Sequence, residues 1–178
     1  MKIFVSHAIK DSNLINDLKS ALEPRGLQLL IAEHHSDINY STVTDKIEKM
    51  INTSNIALIL LTNNGFNSNF VQQEIGYIKS AKIPYLQIIE KGLEKKITGF
   101  NYGKGYIEYS PESPQTTIDK IKQSLLDHWI KQIQFEIAQI NQKKAIDLKL
   151  KQQKEQEQAL KIGLGLLAGI LVLGMIDN

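Results

Sequence analysis

One carboxylate stands out by the company it keeps. Ser68-Asn69-Phe70-Val71-Gln72-Gln73-Glu74-Ile75-Gly76-Tyr77 reads as a helix opened by Asn67-Ser68 and running to about Lys82. Val71, Ile75 and Ile78 recur at i, i+4 and i+7, which makes them its core stripe. Phe70, Glu74 and Tyr77 repeat that spacing one residue earlier, so they lie about 100° round the helix, beside the stripe. A carboxylate flanked by two aromatics at the edge of a core has a solvation that the protein controls. At the edge of a cleft such a group is a candidate for acid, base or cation-stabilising chemistry. The competing reading of the same position is a boundary Glu in a surface ion pair.

Other constellations are weaker. Adjacent His34-His35 invites a metal reading, but neighbouring side chains in extended chain point apart, and the sequence has no Cys to support them. The expectation is a polar loop and no metal. There is no Walker pattern and no Gly-x-Gly-x-x-Gly. Gly103-Lys104-Gly105 reads as a plain turn. Absence of Cys excludes disulfides, thiol nucleophiles and Fe–S clusters, and fits a reducing compartment. The net charge of +2, from 21 basic and 19 acidic side chains, argues against nucleic acid as a partner. Met1–Ser6 turns polar too soon to be a signal peptide.

The elements that must position Glu74 alternate strand and helix. Lys2–Ser6, Leu27–Ala32, Asn55–Leu61, Pro84–Ile89 and Gly105–Tyr109 read as strands. Asp11 or Ser12 caps a helix carrying Leu14, Leu18, Ala21 and Leu22, which Pro24-Arg25-Gly26 stops. Ser41 or Thr42 caps a second helix, with Val43, Ile47, Met50 and Ile51 inward. Strands separated by helices imply a parallel sheet with helices on both faces. The expected fold class is α/β: a flavodoxin-like five-stranded parallel sheet in the order 2-1-3-4-5, followed by a long C-terminal helix and an apolar tail. In that order the chain reverses between strands 1 and 3, and ligands bind beyond the carboxyl ends of the strands there. The loops after Ser6 and Thr62 and the Glu74 helix meet at that point. A receiver domain would need an acidic pair after strand 1 and an Asp ending strand 3. The chain has Ser6-His7 and Thr62-Asn63 there.

Ile3-Phe4-Val5-Ser6-His7-Ala8 followed by Lys10-Asp11 resembles box 1 of Toll/interleukin-1 receptor (TIR) domains. Ser68-x-Phe70-Val71-x-x-Glu74-Ile75 is similar to the family's Ser-x-Trp-Cys-x-x-Glu-Leu, with Phe for Trp and Val for Cys. Asn52-Thr53-Ser54-Asn55 and Lys82-Ile83-Pro84 fit its prokaryotic branch. The resemblance covers Met1–His128. It implies an NAD+ glycohydrolase or cyclase that cleaves the nicotinamide N-glycosidic bond, with NAD+ as substrate and no resident cofactor. Glu74 would be catalytic: it would hold the ribose hydroxyls and stabilise the developing oxocarbenium ion. Ser6, His7, Ala8, Phe70 and Tyr77 would line the substrate site. Glu33–Tyr40 takes the place of the family's BB loop, so His34, His35 and Asp37 become assembly-loop residues. The context implied is prokaryotic anti-phage defence or signalling, with a separate effector as a further partner. The alternative is a non-catalytic TIR scaffold acting by TIR–TIR association at a membrane.

Beyond the expected TIR domain (1–128), a polar helical linker or short coiled coil spans 129–158. Ile130, Ile133, Ile137 and Ile140 lie there at a–d spacing, before Lys144 and Asp147 break it. The alternative is that this stripe docks on the domain, with Trp129 and Phe135. An apolar helix is expected at 159–176. Its uncharged core, Ile162–Ile176, would reach roughly 22 Å against a hydrocarbon layer of ~30 Å. The flanking Lys excess and Gly165-x-x-x-Gly169 favour a tail anchor at the cytoplasmic face of a membrane. The alternative is a soluble cytoplasmic oligomer held together by its tails.

Overall fold

The computed structural model describes residues 1–32, 40–96 and 105–174, and side chains for 1–32, 43–96 and 105–162. The chain divides into two compact units, Met1–Asp127 and His128–Asn178.

In the first unit, strands β1 (Lys2–Ser6), β2 (Gln28–Ile31), β3 (Ile56–Leu61), β4 (Tyr85–Glu90) and β5 (Tyr106–Tyr109) form one sheet in the order β2-β1-β3-β4-β5. All four pairings are parallel, with Ser6 opposite Ile59 and Ile59 opposite Gln87. The flavodoxin-like arrangement expected from the alternating pattern is therefore present. The helices are α1 (Ser12–Leu22), α2 (Tyr40–Thr53), α3 (Asn63–Phe66), α4 (Asn69–Ser80) and α5 (Pro114–Gly174).

Strand periodicity divides the core. Ile3, Val5, Leu58 and Leu60 face α1 and the start of α5, where Leu14, Leu18, Ile118, Ile121 and Leu125 complete one cluster. Phe4, Ile59 and Leu61 face α2 and α4, where Ile51, Val71, Ile75 and Ile78 complete the other. β3 is buried along its whole length, as a strand covered on both faces must be. Side chains alternate along a strand, so Ser6 shares Phe4's face and looks toward α4.

Three local expectations are corrected. α1 is not capped by the Asp11 side chain, because that carboxylate is engaged at the end of β3. α4 spans Asn69–Ser80, ending before Lys82, which adopts a left-handed φ of 57°. And α3 stands where the sequence suggested a plain loop: the Thr62 hydroxyl caps it by accepting the Gly65 N–H at 3.0 Å. Gly65 is required there, since a Cβ would lie 2.2 Å from the Leu60 carbonyl oxygen.

The apolar tail expected at 159–176 falls largely outside the residues whose side chains are described. Among the described residues no helix is long and apolar enough to cross a membrane. α5 runs unbroken to Gly174, and from Lys143 to Lys161 it carries six Lys and three acidic residues. The side chains from 163 onward lie outside the described residues. Trp129, Ile130, Ile133, Phe135, Ile137 and Ile140 are exposed.

Candidate active site at the ends of strands 1 and 3

Ser68 fixes the start of α4: its hydroxyl accepts the Val71 N–H at 3.4 Å. With Val71, Ile75 and Ile78 locked into the core, Glu74 is carried inward to 4% exposure. There Ser6 Oγ donates to Glu74 Oε2 at 2.6 Å. Two opposing effects act on the carboxyl. Burial raises its pKa, the Ser6 hydrogen bond lowers it, and burial wins, leaving it at about 7. Glu74 is therefore no boundary residue but a desolvated carboxyl that exchanges its proton near neutrality.

A cleft of about 220 Å³ opens on this group between α2 and α4. Phe70, Gln73, Glu74 and Tyr77 line one wall; Val43, Thr44, Ile47 and Glu48 line the other. The Tyr77 hydroxyl accepts a hydrogen bond from Asn52 Nδ2 at 2.8 Å, tying α4 to α2 at the cleft edge. A second cleft of about 410 Å³ lies at the strand ends, among Ala8, Ile9, Lys10, Asn63, Asn64, Asn67 and Ser68. Phe70, 40% exposed, belongs to both. Beneath the second cleft Asp11 is buried, accepting hydrogen bonds from Thr62 Oγ1 and Asn64 Nδ2, each at 2.8 Å. The backbone N–H of Asn63 donates to Glu90 Oε2 at 2.8 Å, so the ends of β1, β3 and β4 are laced together by carboxylates.

The residues singled out in the sequence separate as follows. Glu74, Phe70 and Tyr77 meet in the first cleft. Ser6 reaches Glu74 through its hydroxyl, a role strand parity could have revealed. Ala8 lines the second cleft. His7 is buried, its Nδ1 donating to the Val5 carbonyl at 3.3 Å, and burial holds its pKa below the ordinary value. His34, His35 and Asp37 lie outside the described residues. Among the described residues no group of His, Asp and Glu has the arrangement of a metal site. Sequence reasoning missed Asp11's bonds and Glu48. The available signal for Glu48 was its place on the inward side of α2, one residue beyond Ile47.

No curated protein matches the sequence. Among solved structures, the CMP N-glycosidase of Clostridium botulinum superposes with a TM-score of 0.54 at 14% identity, over 70% of this chain and 99% of that one. The TIR domain of a Toll-related receptor from Hydra magnipapillata superposes at 0.56 and 16% identity, over 71% and 96%. At such identities the likeness is one of fold. The family model described as TIR domain matches residues 3–104, which takes in β1 through β4, both clefts and Glu74. The chain therefore belongs to the TIR-domain family.

Proposed function

We propose that this protein cleaves the nicotinamide N-glycosidic bond of NAD+, releasing nicotinamide and ADP-ribose or a cyclised form of it. The observation that carries this reading is Glu74: a buried carboxylate, held by Ser6, opening on a cleft walled by Phe70 and Tyr77. As the C1′–N bond breaks, its electron pair neutralises the pyridinium nitrogen and positive charge develops on the ribose. An ionised carboxylate fixed in place and itself nearly withdrawn from water stabilises that charge far better than water does. The Ser6 hydroxyl fixes one carboxylate oxygen, so no reorganisation is needed when the charge appears. The aromatic faces of Phe70 and Tyr77 suit a planar cationic ring. The C. botulinum neighbour is itself described as an N-glycosidase, of CMP, and bond class is the feature the two readings share.

The reading extends to context. NAD+ is substrate, not resident cofactor, and self-association brings protomers together through the TIR domain, the 33–40 loop and α5. The product acts as a signal to a separate effector in prokaryotic anti-phage defence. The test is direct: incubate the purified full-length protein with NAD+ and identify the nucleotide products. Glu74→Gln should lower turnover about 10²–10³-fold or more, with the circular dichroism spectrum unchanged. Undiminished turnover in that variant would remove the assignment. A wild-type protein without turnover, even when concentrated, would leave the scaffold reading standing.

A further inference from the structure

The cleft that holds Glu74 has a second carboxylate on its opposite wall. Val43, Thr44, Ile47 and Glu48 present one side of α2 to it. Of the charged residues described on that helix, Asp45, Lys46 and Lys49 are exposed, whereas Glu48 is half-buried. α2 thus turns a single charged group, of the same sign as Glu74, toward a cleft whose other lining residues are Val43, Thr44, Ile47, Phe70, Gln73 and Tyr77. Two carboxyl groups on facing walls of one cleft can divide a task.

N-glycosidic cleavage offers two tasks. Departure of nicotinamide needs no acid, because the ring leaves as a neutral base, so the second carboxylate is not required to protonate the leaving group. Capture of the ribosyl cation by water does need a base, since an attacking water must lose a proton. Resting on the reading given above, we infer that Glu48 is a catalytic residue of the second half-reaction, the general base that receives the proton of the attacking water. In that step a water oxygen forms the new bond to C1′, its proton passes to the Glu48 carboxylate, and ADP-ribose leaves with a hydroxyl at C1′. Glu74 serves bond cleavage and Glu48 serves hydration, from facing helices.

Exchange and hydrolysis separate the two tasks. Labelled nicotinamide re-enters NAD+ by attack of a ring nitrogen that has no proton to lose, so exchange requires Glu74 but not a base. With the full-length protein, Glu48→Gln should raise the ratio of nicotinamide exchange to NAD+ hydrolysis about 100-fold, the scale of a lost general base. Glu48→Asp, which keeps the carboxylate but retracts it, should fall between and serves where the Gln variant does not fold. An unchanged ratio overturns the inference, whether both reactions persist or both fall together, the latter marking Glu48 as merely structural. A wild type silent on NAD+ in both assays overturns this inference together with the proposed function. An active wild type with an unchanged ratio in the variants overturns this inference alone.

Discussion

Two carboxylates are buried on either side of Phe70, and the chain treats them oppositely. Asp11, below the strand-end cleft, is met by a hydroxyl and an amide donor, Thr62 and Asn64. Glu74, below the α2–α4 cleft, is met by Ser6, and desolvation outweighs that bond. Both are nearly inaccessible to water. The difference is in what the burial accomplishes. Asp11's bonds hold two loops in place, so its side chain is part of the framework. Glu74's charge is disfavoured in the resting protein, a condition that a cationic partner relieves. Burial alone therefore does not fix what a carboxyl does; the groups that meet it matter as much.

The comparison breaks first at Asp11. Asp11→Ala deletes two hydrogen bonds to a charged acceptor and strands the Thr62 and Asn64 donors. It should lower unfolding free energy by about 3–4 kcal/mol in urea titrations. A loss below about 1 kcal/mol would mean that the loops hold each other without it.

Glu74→Gln should do the reverse. The folded protein binds the Glu74 proton more tightly than the unfolded chain does, since burial raises the pKa from 4.5 to about 7. Stability from this group is thus fully present below 4.5 and lost as pH rises to about 7. At one pKa unit per ~1.4 kcal/mol, ionisation costs at most about 3.5 kcal/mol, an upper figure because the cleft is open to water. The Gln variant should therefore gain about 2–3 kcal/mol at pH 8, and that gain should vanish as pH falls below 4.5. Equal stabilisation at both pH values would show that charge is not the cause.

A smaller effect sharpens the Glu74 side. Ser6→Ala removes the influence that lowers the carboxyl's pKa. On the proposed reading, NAD+ turnover rises with Glu74 ionisation through about pH 7, and that limb should move to higher pH in the variant. A displacement toward acid would contradict the Ser6–Glu74 geometry. The smallest effect lies outside both clefts. Lys82 sits at φ 57° because the end of α4 closes with Lys82 N–H to Lys79 O and Ile83 N–H to Ile78 O, each at 3.1 Å. Lys82→Gly should add about 0.5–1 kcal/mol, measured as a shift in melting temperature, and leave every pH dependence untouched.

Much of this was legible before any coordinates. β3 declared itself by an unbroken apolar run, and Glu74 by standing one position off the core stripe, because helix geometry converts spacing into direction. What escaped depended on contacts between distant segments. Asp11 looks like a helix cap because a cap is the nearest use for an Asp before a helix. Its true donors are more than 50 residues away. α3 was hidden because four residues carry no periodicity. Glu48 shares its helix with other charged residues, and only the facing α4 shows which of them turns inward.

The Ser6–Glu74 contact has one more consequence, in the proton inventory of binding. With a pKa of about 7, Glu74 is roughly half protonated at pH 7. A cationic pyridinium entering the cleft favours the ionised form, so binding must expel up to about half a proton per site. The heat of binding will then depend on which buffer receives it. Titration calorimetry of a non-hydrolysable pyridinium dinucleotide in phosphate and in Tris should give enthalpies that differ by that fraction of the buffers' ionisation heats. Glu74→Gln should make the two enthalpies converge.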